Sequence, residues 1–173
     1  LLVREQVVAW WSEVHKGCAL SAGIVFMTIY FIVGGIAYLL GSIPTGFLAG
    51  KARGIDVRKV GSGNIGATNA IRILGKRVGF TVLFIDALKG YVAATALVWA
   101  VQRLMGVSVP NLNLVGGVAA VLGHNYTCWL NFKGGKGIAT SAGVLLAWVP
   151  LALLIVFGTW AIVFVASKYV SLA

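Results

Sequence analysis

The chain of 173 residues is 60% hydrophobic and only 10% charged, and its mean hydropathy is +0.96. A soluble domain carries roughly 25% charge, so this chain lacks the polar surface to cover itself in water, and one membrane domain is expected. The net charge of +10, from 14 Lys and Arg against four acids, points to cytoplasmic loops and anionic lipid head groups. Aromatics do not interleave with the basic runs as a nucleic-acid platform requires, which excludes nucleic acid as an expected partner.

In chain order, Val3 to Gly17 form an amphipathic stretch that does not read as a signal peptide. Residues 1–26 are expected to be an interfacial, non-native extension, with Met27 as the native start. No charge then occurs between Lys16 and Lys51, a run longer than the roughly 20 residues a span needs. Pro44 is expected to kink or end this first span, and Gly46 and Gly50 form a GxxxG that predicts helix packing. Residues 51–77 hold seven of the 14 basic residues with Asp56 as the sole acid, so this loop is expected to be cytoplasmic.

A second apolar run, 78–101, contains Asp86 and Lys89. A turn at Val109-Pro110-Asn111 should face outward. A shorter run, 112–123, leads to a second basic, glycine-rich loop at 124–137. The uncharged stretch from Ile138 to Ser167, with Pro150 inside it, predicts either one kinked span or two short helices. Four crossings would place both glycine-rich loops on one side. The expected fold is an all-α, polytopic integral membrane helical bundle with glycine-rich cytoplasmic loops.

Three groups of residues suggest chemistry. The first is Gly61, Ser62, Gly63, Asn64, Gly66, Thr68 and Asn69, followed by Arg72. Its glycines open backbone N–H groups to an anion, a helix starting near Ala67 would add its positive end, and Arg72 offers a planar fork. Gly61, Gly63 and Gly66 match GxGxxG, yet no βαβ unit surrounds them, so a dinucleotide site is not expected. The second group is Lys133, Gly134, Gly135, Lys136, Gly137 and Thr140, ahead of another helix N-terminus. Each loop reads either as a phosphate site or as a lipid-facing basic turn. The third is Asp86 with Lys89, three apart on one helix face, either an orienting ion pair or a substrate contact. His124 is either a structural hydrogen-bonder or a general base.

Absences narrow the reaction. Asp56 and Asp86 are too few and too separate for a two-metal phosphotransfer site, so no metal is expected. Neither His15 nor His124 is followed by an acid five positions later, so the HxxxxD dyad of soluble-type acyltransferases is missing.

The motifs GSIPTGFLAGK (41–51), GIDVRKVGSGNIGATNAIR (54–72), DALKG (86–90), GHNYTCWLNFKGGKGIAT (123–140) and KYVSLA (168–173), in that order, resemble the bacterial acyl-phosphate:glycerol-3-phosphate acyltransferases, the PlsY family. The resemblance implies transfer of a fatty acyl group from acyl phosphate to the sn-1 hydroxyl of glycerol 3-phosphate, without metal, cofactor or acyl-CoA. It implies a multi-pass protein of the bacterial inner membrane, and it leaves room for contact with the enzyme that makes acyl phosphate. By position, Ser62 and Arg72 carry the first motif and Lys136 the phosphate-binding second. Thr127 stands where the family usually has Pro. The third motif, with a His and an Asn, would lie beyond Ala173, so 27–173 reads as a C-terminally truncated acyltransferase domain. The acyl tail is expected between helices, in a groove shaped by Gly116, Gly117 and Ala119. A transporter of a phosphorylated metabolite, built on broken helices, is the alternative from another class.

Overall fold

The computed structural model describes residues 23–167, whose regular elements are all helical. Most of the expected extension lies outside them; residues 23–26 run directly into the first helix. The helices are α1 (residues 23–42), α2 (Thr45–Lys51), α3 (Ala67–Leu74), α4 (Lys76–Ala94), α5 (Ala96–Met105), α6 (Leu112–Asn125), α7 (Ile138–Trp148) and α8 (Pro150–Ser167). Three stretches are long and apolar enough to cross a membrane: Gly23–Lys51, Lys76–Met105 and Pro150–Ser167. The chain is a polytopic membrane helical bundle.

The helix breaks follow the local chemistry. Pro44 cannot donate a backbone N–H, and the chain leaves helix at residues 43–44 before restarting as α2. Pro150 separates α7 from α8, so the long uncharged stretch forms two helices. The second apolar run is also divided, at Thr95, whose φ of −127° and ψ of −82° lie outside helix.

α4 is the hub and packs against α2, α3, α6 and α7. Its buried positions, Gly79, Val82, Asp86, Lys89, Gly90 and Ala93, recur at three- and four-residue spacing. Phe80, Phe84, Ile85 and Leu88 point outward. Small and polar residues inside with large apolar ones outside is the arrangement expected of a helix solvated by lipid. Close approach depends on missing side chains: a Cβ on Gly143 would meet the Ala87 carbonyl, and one on Gly90 the Thr140 carbonyl. Together these glycines seat α7 against α4.

Gly46 lies against the Ile65 carbonyl and Val82 of α4, and Gly50 against Ile55 and Val57, so the GxxxG face of α2 packs both on a second helix, as its spacing predicts, and on the first loop. α1 is joined to α5 and α6 through Ile29, Val33, Val98, Val101 and Leu112. α8 has no buried residue.

Candidate functional site

Both glycine-rich loops open on one cavity of about 380 Å³. Its wall includes Ser62, Asn64, Gly66, Thr68, Asn69 and Arg72 from the first loop and α3. Lys136 and Gly137 come from the second, with Asp86 from α4 and His124 from α6. The two loops therefore share one cavity.

The first loop is built around the Asn69 side chain, which is 1% exposed. Its amide nitrogen donates to the carbonyls of Val57, Val60 and Asn64 at 3.0, 3.2 and 2.9 Å, and its oxygen accepts the Ser62 N–H at 3.0 Å. Gly61 and Gly63 take φ of +66° and +69°, and a Cβ on Gly61 would strike the Asn69 oxygen. These three residues shape the loop; Gly61 and Gly63 are not on the cavity wall. The Asn64 side chain accepts the Gly66 N–H at 2.8 Å, which fixes the chain as it enters α3. Outside the cavity, the Arg58 fork grips Asp56 and holds its carboxyl down to about 2, while the guanidinium lies 4.7 Å from the centre of the Phe47 ring.

Asn69→Ala removes four hydrogen-bond contacts, three of them shared by the two amide hydrogens, so about three bonds of about 1 kcal/mol net are lost. The expected result is a first loop that is cleaved readily in limited proteolysis while the helices stay intact. A loop as resistant as wild type would mean Asn69 is not its organiser.

Two helix N-termini converge on the cavity. α3 and α7 both begin at glycines without a side-chain cap. The first N–H groups to bond back are Ala70 onto Gly66 and Ser141 onto Gly137. The preceding N–H groups, at Ala67, Thr68 and Asn69 and at Ile138, Ala139 and Thr140, are the unpaired donors of each first turn. The positive ends of two helix dipoles thus face one space. Arg72 and Lys136 are exposed and have no protein partner among the described residues, and the Ser62 hydroxyl likewise has none. A cavity supplied with this many free donors and cations is suited to anions, and its size admits more than one phosphate.

Several residues expected at the site stand elsewhere. The N–H groups of Gly134 and Gly135 donate to the carbonyls of Asn125 and His124, both at 3.0 Å. They satisfy the C-terminal carbonyls of α6 rather than an anion. The signal was available in sequence, because a helix ending near Asn125 must find donors for its last carbonyls. Lys133 is exposed off the cavity, and Thr140 is buried against Gly90. Lys89 is 5% exposed and absent from the wall; its Nζ donates to the Ile43 carbonyl at 2.9 Å and pairs with Asp86 at 2.8 Å. Asp86 Oδ1 also accepts the Thr45 hydroxyl. This cluster ties α4 to the break between α1 and α2. His124 Nδ1 is 3.6 Å from Asp86 Oδ1, too far for a formed hydrogen bond.

Beside the cavity an apolar groove of about 280 Å³ runs between α6 and α7, lined by Gly117, Val118, Val121, Leu122, Ser141, Val144, Leu145 and Trp148. Of the three small residues expected to shape it, Gly117 does. Gly116 packs on the Ala93 carbonyl, and Ala119 sits against a cluster of Ala37, Ala93 and Ala120. Ser141 lies one turn beyond the cavity-lining start of α7, so groove and cavity adjoin.

Residues 29–173 match the family model described as glycerol-3-phosphate acyltransferase. A glycerol-3-phosphate acyltransferase of Chlorobium limicola is 48% identical over 145 residues, covering 80% of this chain and 61% of the relative. One of Chlorobaculum tepidum is 44% identical over 142 residues, covering 79% and 61%. The chain therefore spans about three-fifths of the length of these curated relatives. Among solved structures, it is similar to PlsY (YgiH), an integral membrane glycerol 3-phosphate acyltransferase, in its glycerol 3-phosphate form. The TM-score there is 0.70 at 44% identity, over 83% of this chain and 69% of that one. The lysophosphatidic acid form gives 0.68 at 43% identity, over 83% and 68%. With the fold, the paired loops and these matches in agreement, the chain belongs to the glycerol-3-phosphate acyltransferase family.

Proposed function

We propose that the protein transfers a fatty acyl group from acyl phosphate to the sn-1 hydroxyl of glycerol 3-phosphate, releasing lysophosphatidate and inorganic phosphate. The observation that carries this reading is a single cavity served by two helix N-termini, Arg72 and Lys136, beside an apolar groove. The solved relatives hold glycerol 3-phosphate and lysophosphatidic acid, the acceptor and the product of such a transfer.

Two phosphate-bearing substrates repel each other, and the cations and N–H groups of α3 and α7 offset that repulsion. Ser62, Arg72 and Lys136 are the proposed catalytic donors. The hydroxyl adds to the acyl carbonyl, negative charge develops on the carbonyl oxygen, and the C–O bond to phosphate breaks as the carbonyl re-forms. Acyl phosphate is already activated, so Ser62 serves as a hydrogen-bond donor and no acyl-enzyme is needed. Holding hydroxyl and carbonyl together supplies much of the remaining rate. The proton leaves to His124 or to a substrate phosphate, whose second pKa is about 6. The basic charge of the loops supports a cytoplasmic orientation in the bacterial inner membrane, which would give the enzyme that makes acyl phosphate access to the site.

Full-length protein in detergent or vesicles, given palmitoyl phosphate and glycerol 3-phosphate, is expected to form lysophosphatidate. Counterflow of intact glycerol 3-phosphate without acyl product would instead establish a transporter. The acyl tail is assigned to the groove, where Val121→Phe would fill space. That variant should lower kcat/KM for palmitoyl phosphate about tenfold and leave a four-carbon acyl phosphate nearly unaffected. Equal losses for both donors would remove the tail from the groove.

A further inference from the structure

Asp86 is the only acid on the cavity wall among the described residues, and a carboxylate is an unexpected neighbour for two phosphates. It is 1% exposed. The protein donors that reach it, Thr45 Oγ1 and Lys89 Nζ, both use Oδ1. Oδ2 has no donor among the described residues. Lys89 neutralises the pair, so repulsion of an incoming anion is weak while the acceptor capacity of Oδ2 remains unused.

Besides Asp86, the free side-chain acceptors on the wall are the His124 imidazole and the hydroxyl oxygens of Ser62 and Thr68, none of them anionic. Ser62, Arg72, Lys136 and the two first turns offer donors, and the side-chain oxygens of Asn64 and Asn69 already accept backbone N–H groups. Phosphate oxygens require donors only. A hydroxyl group brings an O–H that must find an acceptor once it leaves water.

Position along α4 identifies which hydroxyl. Gly79 touches α3 at Ile71, while Ala87 and Gly90 touch α7 at Gly143 and Thr140. Asp86 therefore lies between the two elements whose N-termini cradle anions. Glycerol 3-phosphate has its C2 hydroxyl between the phosphate and the reacting C1 hydroxyl. Resting on the acyltransferase reading, we infer that Asp86 accepts the hydrogen bond of the C2 hydroxyl and thereby selects a glycerol backbone over a simple alkanol phosphate. Lys89 and Thr45 act as positioning residues that hold the carboxylate in this orientation.

The test compares glycerol 3-phosphate with 3-hydroxypropyl phosphate, which lacks only the C2 hydroxyl, in full-length protein. Wild type should prefer glycerol 3-phosphate by about 10–100-fold in kcat/KM, the range for losing a hydrogen bond to a charged group. Asp86→Leu, which removes the acceptor, should reduce the preference to within about threefold, with the loss falling on glycerol 3-phosphate. Asp86→Leu/Lys89→Met, which also leaves no buried unpaired cation, should do the same if the single variant folds poorly. Wild type using both acceptors equally, a variant keeping the full preference, or equal losses on both acceptors would each overturn the inference. Absence of any acyl product from wild type would instead overturn the acyltransferase reading beneath it.

Discussion

Arg72→Ala in the full-length protein is expected to lower kcat/KM for glycerol 3-phosphate by about 100–1,000-fold, the range for deleting one preorganised donor from a charge-stabilising site. Arg72 sits on α3, one turn from its N-terminus, and lines the cavity. Because it has no protein partner among the described residues, its removal breaks no bond of the fold. Thermal stability should stay within error while turnover falls. Arg72→Lys should recover only part of the rate, since an ammonium keeps the charge but loses the two-pronged contact to phosphate. Initial rates of lysophosphatidate formation measure both variants. A loss below about threefold for Arg72→Ala would mean the guanidinium does not touch substrate, and the anion site would then rest on the helix N-termini and Lys136.

The parts of this site that were legible in sequence are those governed by local chemistry. Gly66 before Ala67 and Gly137 before Ile138 mark helix starts, and both helices begin there. Pro44 and Pro150 mark breaks, and both breaks occur. Ser62, Arg72 and Lys136 follow the glycines closely, so they had to lie near whatever the glycines frame. Illegible features depend on distant partners. Gly134 and Gly135 have the composition of an anion loop, but the ends of α6 claim their N–H groups. Asn69 reads as a spare polar donor, yet its bonds reach back 12 and nine residues to organise the loop. The Asp86–Lys89 spacing announced a pair, but spacing alone cannot say which of the two faces the cavity. The carbonyl that decides it belongs to Ile43, 46 residues away.

Lys89→Met should therefore act on stability before it acts on substrate. With Lys89 removed, Asp86 keeps only the Thr45 hydroxyl as a donor and becomes an unpaired buried charge; the Ile43 carbonyl at the α1–α2 break keeps only the Thr45 N–H. Breaking a buried pair from one side costs roughly 3–5 kcal/mol, a large share of a typical folding free energy. The expected result is a marked fall in the thermal midpoint of the detergent-solubilised protein. Asp86→Asn/Lys89→Met should recover much of it, because a neutral amide can still accept from Thr45 without leaving a bare charge. A Lys89 that bound phosphate directly would behave differently: KM for glycerol 3-phosphate would rise about 100-fold, the midpoint would hold, and the double variant would restore nothing. Measuring both quantities on the same two variants separates a helix-break staple from a phosphate ligand, and the burial of Lys89 off the cavity wall favours the staple.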